Sequence, residues 1–298
     1  MKPDQVKELY DAGYANEYNE RYLLNPFSMS SVKTELRVIE GLLKNPSSRW
    51  LDIGCGTGYF LSQFPGVPRA GFDMSPEMLK LATAASPDAL FFRQGDFREH
   101  ISEWENSWSL VSCMWCAYNY VESMKEIDQL VSNMISWAQP GGAVFIPVMD
   151  LEDIRPNQQL SYKESADIFG GTIYLTSATW TWIENGNGKI HTHLIAPHVG
   201  YFIQLLEPWF DKIEVIRYPP YQTGWVSRKA VLATIKKTQA DTQKTAEVIW
   251  HPIPAPEIAT TTQSPLGFIT HKQLVGELLF RIKSGSFFNS VKRKILRK

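Results

Sequence analysis

The chain has 298 residues, 44% of them apolar and 20% charged, enough to bury one large core within one or two domains. Three cysteines are too few for a disulfide framework, and Cys113-Met114-Trp115-Cys116 lacks the second Cys/His pair that a zinc site would need. The net charge of −1 conceals an asymmetry: from His271 onward eight Lys and Arg face only Glu277, so the remaining body is acidic and repels a polyphosphate backbone, which counts against a nucleic-acid partner.

The first residues, Met1-Lys2-Pro3-Asp4-Gln5, carry no apolar core of a targeting segment, and no run of membrane-spanning length follows, so a cytoplasmic protein is expected. Tyr10, Tyr14, Tyr18 and Tyr22 recur every fourth position, which predicts four phenols along one helical face. Next, a short apolar strand over Arg49–Ile53 runs into Gly54-Cys55-Gly56-Thr57-Gly58, a turn in which alternate glycines let the backbone bend sharply and approach a ligand. A dinucleotide fingerprint would need its third glycine at position 59, where Tyr59 stands, and this argues against a nicotinamide cofactor.

Further strands are predicted at Arg69–Asp73, Phe91–Gln94, Ser109–Trp115 and Ala143–Val148, with helical patterns between them, the signature of a doubly wound parallel sheet. After Asp73, Ser75 suits an N-cap and Pro76 the first helical position, with Met78, Leu79, Ala82 and Ala85 as the apolar stripe. A helix over Ser123–Gln139 should stop at Pro140-Gly141-Gly142.

Asp52 with Gly54, Gly56 and Gly58 matches the acidic-x-G-x-G-x-G first motif of the class I S-adenosylmethionine-dependent methyltransferases, which this chain resembles over about Tyr10–Lys237. The stretch Trp137-Ala138-Gln139-Pro140-Gly141-Gly142 is similar to the turn before that family's fifth strand. The resemblance implies a Rossmann-like, seven-stranded, mostly parallel sheet and S-adenosyl-L-methionine as cofactor. It further implies that Asp73, 21 positions after Asp52, accepts the ribose hydroxyls, and that Asp96 receives the adenine amino group while Phe97 and Met74 cover the ring. An N-terminal tyrosine, Tyr18 or Tyr22, would meet the methionine carboxylate. The end of the fourth strand, with Cys116 and Tyr118, falls where the family sets methyl donor beside acceptor. No Asn/Asp-Pro-Pro-Tyr/Phe sequence occurs, which disfavours nucleobase acceptors.

An insertion after the fifth strand reads as a small β-rich substrate cap: Thr172–Ile183 and Lys189–Ile195 flank the hairpin signal Glu184-Asn185-Gly186-Asn187-Gly188. Alternation places His191 and His193 on one face, with His198 at the entry to the next helix, but no completing ligand makes this a metal site. A histidine could serve as base for the acceptor, so His191, His193, Asp150 and Tyr118 are the catalytic candidates. Trp180, Trp182 and Tyr174 could line an apolar or sugar-binding pocket, or pack the cap. A helix at Val199–Leu206 and strands at Ile213–Tyr218 and Lys229–Lys236 close the sheet.

The expected organisation is lid helices at 1–48, a cofactor-binding core at 49–149, the cap at 150–197, the end of the sheet at 198–237, a linker at 238–270 and a basic amphipathic helical tail at 271–298. The tail suits peripheral contact with the inner membrane surface, or packing on the body or a second copy, in a monomer or homodimer. The expected activity is methyl transfer to an O or N atom of a small molecule or glycan precursor; protein methylation and cofactor binding without turnover are the alternatives.

Overall fold

The computed structural model describes residues 1–25, 28–149, 176–184, 188–219 and 229–254. Its centre is an eight-stranded sheet. β1 (Trp50–Ile53), β2 (Arg69–Asp73), β3 (Phe91–Gln94), β4 (Trp108–Ser112) and β5 (Ala138–Val148) are parallel, in the order β3-β2-β1-β4-β5. The sheet continues through β9 (Lys229–Lys236), antiparallel to β5, and then β8 (Phe210–Arg217) and β10 (Glu247–Trp250). The order reverses between β1 and β4, and in an open sheet of this kind the crevice at such a switch point receives the ligand.

Helices cover both faces because successive strand side chains point to opposite sides. On one face Leu51, Ile53, Val111, Val144 and Ile146 pack with α6 (Met124–Trp137) and α7 (Val199–Leu206). On the other, Trp50, Leu110 and Phe145 meet α3 (Met29–Leu42), the short α4 (Tyr59–Ser62) and Leu79 of α5 (Pro76–Ala85). Fully burying side chains such as Leu51, Phe72 or Phe145 stabilises the fold by about 1.5–3 kcal/mol each. The helix starts follow their caps: the Ser75 hydroxyl accepts from the Met78 N–H and Ser123 from Glu126.

Several expectations are corrected. The sheet has eight strands rather than seven, because Glu247–Trp250, inside the stretch read as a linker at 238–270, adds a parallel strand to β8 and sets the Trp250 ring 5.5 Å from the Arg217 guanidinium. The tyrosine face does not belong to one helix: α1 (Pro3–Leu9) ends before Asp11, whose carboxylate caps α2 (Ala12–Tyr18), and a π-helical turn follows at Asn19–Leu23. Pro140-Gly141-Gly142 does not precede a separate strand; β5 runs through it, and the register shifts between Trp108 and Leu110. The fourth strand ends at Ser112 rather than Trp115, and a 3₁₀ segment follows at Met114–Tyr120.

A separate two-stranded sheet joins β6 (Ser177–Ile183) to β7 (Ile190–Pro197), as the hairpin signal predicts. Asp150, Tyr174, most of the cap and the whole tail lie outside the described residues. Ile183–Lys189 belongs to a second compact unit; among its described residues, the Glu184 N–H donates to the Lys189 carbonyl at 2.9 Å. No helix among the described residues is long and apolar enough to cross a membrane.

Candidate active site

At the carboxyl end of β1 the chain folds under β2: the Gly54 and Cys55 N–H groups both donate to the Phe72 carbonyl, at 2.7 and 3.2 Å. Gly54, Gly56 and Gly58 all have positive φ, at 63°, 54° and 68°. Two of them differ in what surrounds them. A Cβ on Gly58 would stand 2.8 Å from the Ala82 Cβ, so this glycine is required by packing on α5, whereas a Cβ on Gly56 would meet nothing within 4 Å. The backbone of Gly56 therefore borders open space, as a cradle for a ligand must.

Asp73 ties the cradle to the end of β2. One carboxylate oxygen accepts from the Gly56 N–H at 2.8 Å and the other from the Ser75 N–H at 2.8 Å, and the Met74 N–H donates as well, so three of about four acceptor positions are filled by backbone. Burial raises this carboxyl above its ordinary range, against the pull of those N–H bonds.

Asp52 is almost completely buried, and its bonding partners among the described residues are neutral. Ser112 Oγ donates to Oδ1 at 2.6 Å while itself accepting from the Trp50 indole at 2.8 Å, and the Met114 N–H donates as well. Burial pushes the Asp52 carboxyl up to about 8, only partly offset by the bonds from Ser112 and Met114. A buried carboxyl held this way favours a cation beside it. S-adenosylmethionine carries a sulfonium, an ammonium and a ribose diol, and the acidic pair with the open glycine backbone fits that donor and charge set.

The other expected cofactor residues fare differently. Phe97 is buried beside Gly54, and Met74 is half-buried next to Asp73, both able to cover a ring. Asp96 is corrected: its carboxylate is engaged by Arg98, through Nε at 2.8 Å and through Nη2, and Arg98 also binds Glu126 at 2.9 Å. These pairs hold the Arg98 guanidinium above its ordinary range, so Asp96 acts as one wall of an ion-pair triad. Cys116 is also corrected, since its thiol donates to the Pro147 carbonyl at 3.5 Å within the core. Trp115 and Cys116 both take left-handed backbone, at φ 54° and 59°, strained conformations for L-residues where β4 gives way to the 3₁₀ segment.

The N-terminal segment closes over this end of the sheet. Thr57 Oγ1 in the glycine turn donates to Asn19 Oδ1 at 2.6 Å, and Ser75 Oγ donates to the Tyr10 carbonyl at 3.1 Å. Tyr18 and Tyr22 pack with ring centroids 5.1 Å apart, and Tyr22 also takes a hydrogen bond from Tyr14 and meets Trp182 edge to face at 5.7 Å.

Of the catalytic candidates, Tyr118 is a core residue: its hydroxyl accepts from the Met149 N–H at 2.9 Å, its ring meets Phe202 at 5.0 Å, and burial pushes the phenol well above its ordinary range. His191 and His193 do not share a face. A left-handed backbone at His193, φ 56°, breaks the alternation, so His193 is exposed and His191 fully buried. His198 caps α7, its Nδ1 accepting from the Gly200 N–H at 3.0 Å.

His191 instead joins a group that sequence alone does not single out. Its Nδ1 lies 2.9 Å from the Tyr120 hydroxyl, which also accepts from the Tyr10 hydroxyl at 2.8 Å, and its ring stacks on Trp182 at 4.5 Å. Tyr10 lies in the tyrosine repeat and Tyr120 in the aromatic run after β4, but no spacing rule connects 10, 120 and 191.

A family model described as a methyltransferase domain matches residues 30–191. Among curated proteins, the chain is 26% identical over 140 residues to a dTDP-3-amino-3,4,6-trideoxy-α-D-glucopyranose N,N-dimethyltransferase of Streptomyces venezuelae, covering 46% of this chain and 58% of that protein. It is 27% identical over 149 residues to a demethylmenaquinone methyltransferase of Chlorobaculum parvum, covering 48% and 56%. The chain thus spans little more than half the length of these curated relatives. The crystal structure of Streptomyces venezuelae DesVI is similar with a TM-score of 0.49 at 20% identity, covering 74% of this chain and 98% of that one.

Proposed function

The chain belongs to the methyltransferase-domain family, with the first motif of the class I S-adenosylmethionine-dependent methyltransferases, and from that premise we propose that it transfers a methyl group to a nitrogen or oxygen of a small molecule or sugar. The observation that carries the reading is the buried, neutrally partnered Asp52 set beside an open glycine backbone and the doubly anchored Asp73. When bound, S-adenosylmethionine supplies an electrophilic methyl on a sulfonium whose leaving thioether is neutral.

The protein's part is to bind, align and exclude water. Asp52 faces the positive charge, Asp73 holds the ribose, Phe97 and Met74 cover the adenine, and the Asn19–Thr57 bond pins the N-terminal segment that carries Tyr18 and Tyr22 to the glycine turn. The acceptor lies against the half-buried pair Trp182 and Tyr22, whose rings meet edge to face and suit the apolar face of a sugar ring. A relative named as an amino-sugar N,N-dimethyltransferase supports a sugar, and nitrogen as the atom methylated.

The test is transfer of labelled methyl from S-adenosylmethionine into an extract of the source cells, fractionated into aqueous metabolites, lipid-linked material, protein and RNA. Label in the metabolite or sugar-bearing fractions, lost with Asp73→Ala, is the expected result. Label in protein or RNA alone, or in no fraction while the cofactor is bound, overturns it.

A further inference from the structure

We infer that the amino end of the parallel strands holds a second small-molecule site, a cavity in which the Lys236 ammonium takes the carboxylate of a small organic acid with an apolar body; this does not rest on the methyl-transfer reading. The cavity has a volume of about 320 Å³, at the small end of ligand sites. It lies at the opposite end of the sheet from the glycine turn. Asn106 precedes β4, Ser136 stands in the last turn of α6 just before β5, and Lys236 ends β9, which runs antiparallel to β5. The five residues of β4 alone put about 15 Å between the two ends.

Lys236 is the group that calls for a ligand. Its side chain is buried, yet its hydrogen-bond partners are neutral: Nζ donates to the Ala138 carbonyl at 2.6 Å and to Asn106 Oδ1 at 2.9 Å. Glu105, the acid whose field reaches it, is bonded to His100 instead. An ammonium has three donors, so a third N–H remains for an acceptor in the cavity that Lys236 lines. The two protein bonds tie the lysine to the C-terminal end of α6 and account for its position, but they leave its charge unpaired. Burial holds the ammonium below its ordinary range against the pull of Glu105, and an anion on the third N–H offsets that desolvation. The backbone beside it is also unusual. Ile235, immediately before Lys236, has φ 61°, a costly conformation for a β-branched residue, and strain of this kind collects at ligand clamps.

The walls select the ligand. Trp209, Leu205 and Ile135 supply apolar side chains for its body. Asp128, Ser132 and Ser136 recur every fourth position, so they share one face of α6 along about 12 Å, with Lys236 at the Ser136 end. Asp128 accepts from the Tyr201 hydroxyl at 2.5 Å and carries a negative charge at the other end. One cation and one carboxylate on the same cavity suit a monoanion and disfavour a phosphate monoester, whose second charge adds repulsion from Asp128.

The experiment is calorimetry on the full chain at pH 7, titrated with 3-phenylpropionate, with its neutral amide and with phenyl phosphate, each with and without saturating S-adenosylhomocysteine. 3-Phenylpropionate is expected to bind with Kd of about 1 mM or tighter, and the amide about tenfold more weakly. K236M should lower the affinity for the acid about tenfold or more. Because that substitution also removes the bonds to Ala138 and Asn106, S132W provides a second variant: it obstructs the cavity from an exposed helix position, and should weaken binding about tenfold with an unchanged unfolding midpoint. S-adenosylhomocysteine should leave the affinity for the acid unaltered. No saturable binding of the acid up to about 10 mM overturns the inference, as does equal binding of acid and amide, phenyl phosphate binding as tightly as the acid, displacement by S-adenosylhomocysteine, or an affinity indifferent to both substitutions.

Discussion

Cofactor affinity should rise with pH because of one buried carboxyl. In the cofactor-free protein burial holds Asp52 at about 8, so at pH 7 only about a tenth of it is ionised. A sulfonium or ammonium beside it favours the ionised form, and binding at pH 7 must first remove the proton. That costs about 1.4 kcal/mol at pH 7 and close to nothing at pH 9, so Kd should fall about tenfold across that interval and flatten above it. The same linkage releases about 0.9 proton per cofactor bound at pH 7, read from calorimetric enthalpies in buffers of different ionisation heat. Asp52→Asn keeps an oxygen to accept the Ser112 proton but cannot titrate, so its pH dependence should show only the cofactor's own ionisation, which cancels in the ratio of the two proteins. A ratio independent of pH would refute the reasoning. For the cofactor-free fold the sign is opposite: a carboxyl raised in the folded state contributes stability that is present below its ordinary value and lost as pH rises through about 8, so Asp52→Asn should be the more stable protein at pH 9.

Gly58→Ala should destabilise the fold by about 2–4 kcal/mol, combining left-handed strain with a clash against Ala82, whereas Gly56→Ala should cost about 1 kcal/mol while abolishing cofactor binding; denaturant midpoints and calorimetry separate the two. Asp73→Ala should weaken cofactor binding by about 10-fold or more, through the lost ribose acceptors and the released Gly56 N–H, and unchanged calorimetric affinity would remove Asp73 from the site. Arg69, almost fully buried on β2, forks onto Asp88 and holds that carboxylate well below its ordinary range, so the stability it adds is present above that range and lost as pH falls; acid unfolding of Asp88→Asn should lack this component. Removing residues 271–298 should abolish salt-sensitive sedimentation with anionic lipid vesicles, and sedimentation unchanged by the deletion would rule out the tail as an anchor.

The features legible in the sequence are those that local chemistry decides. The strands from Trp50 to Gln94 and the helix caps at Ser75 and Ser123 depend on residues within a few positions of one another, and so does the glycine turn that follows Asp52. Side-chain alternation within a strand and hydroxyl capping act over short range, so composition and spacing suffice to place them. Asp52 and Asp73 follow from the turn, because a parallel β1–β2 pair brings the two strand ends together.

What depended on the tertiary structure involves residues whose partners are far along the chain. Arg98 lies two positions from Asp96, but the second carboxylate on its guanidinium, Glu126, is brought there by α6 from 28 positions away. Tyr118 and Tyr120 look alike in sequence, yet a 3₁₀ segment turns the first onto Phe202 and Met149 and the second toward Tyr10 and His191. His193 loses the face it shares with His191 through one left-handed residue, and Glu247–Trp250 is a strand only because β8 leaves an edge for it. Alternation and propensity describe single elements; hydrogen-bond polarity, burial and edge pairing belong to several elements at once, and only packing could choose among them.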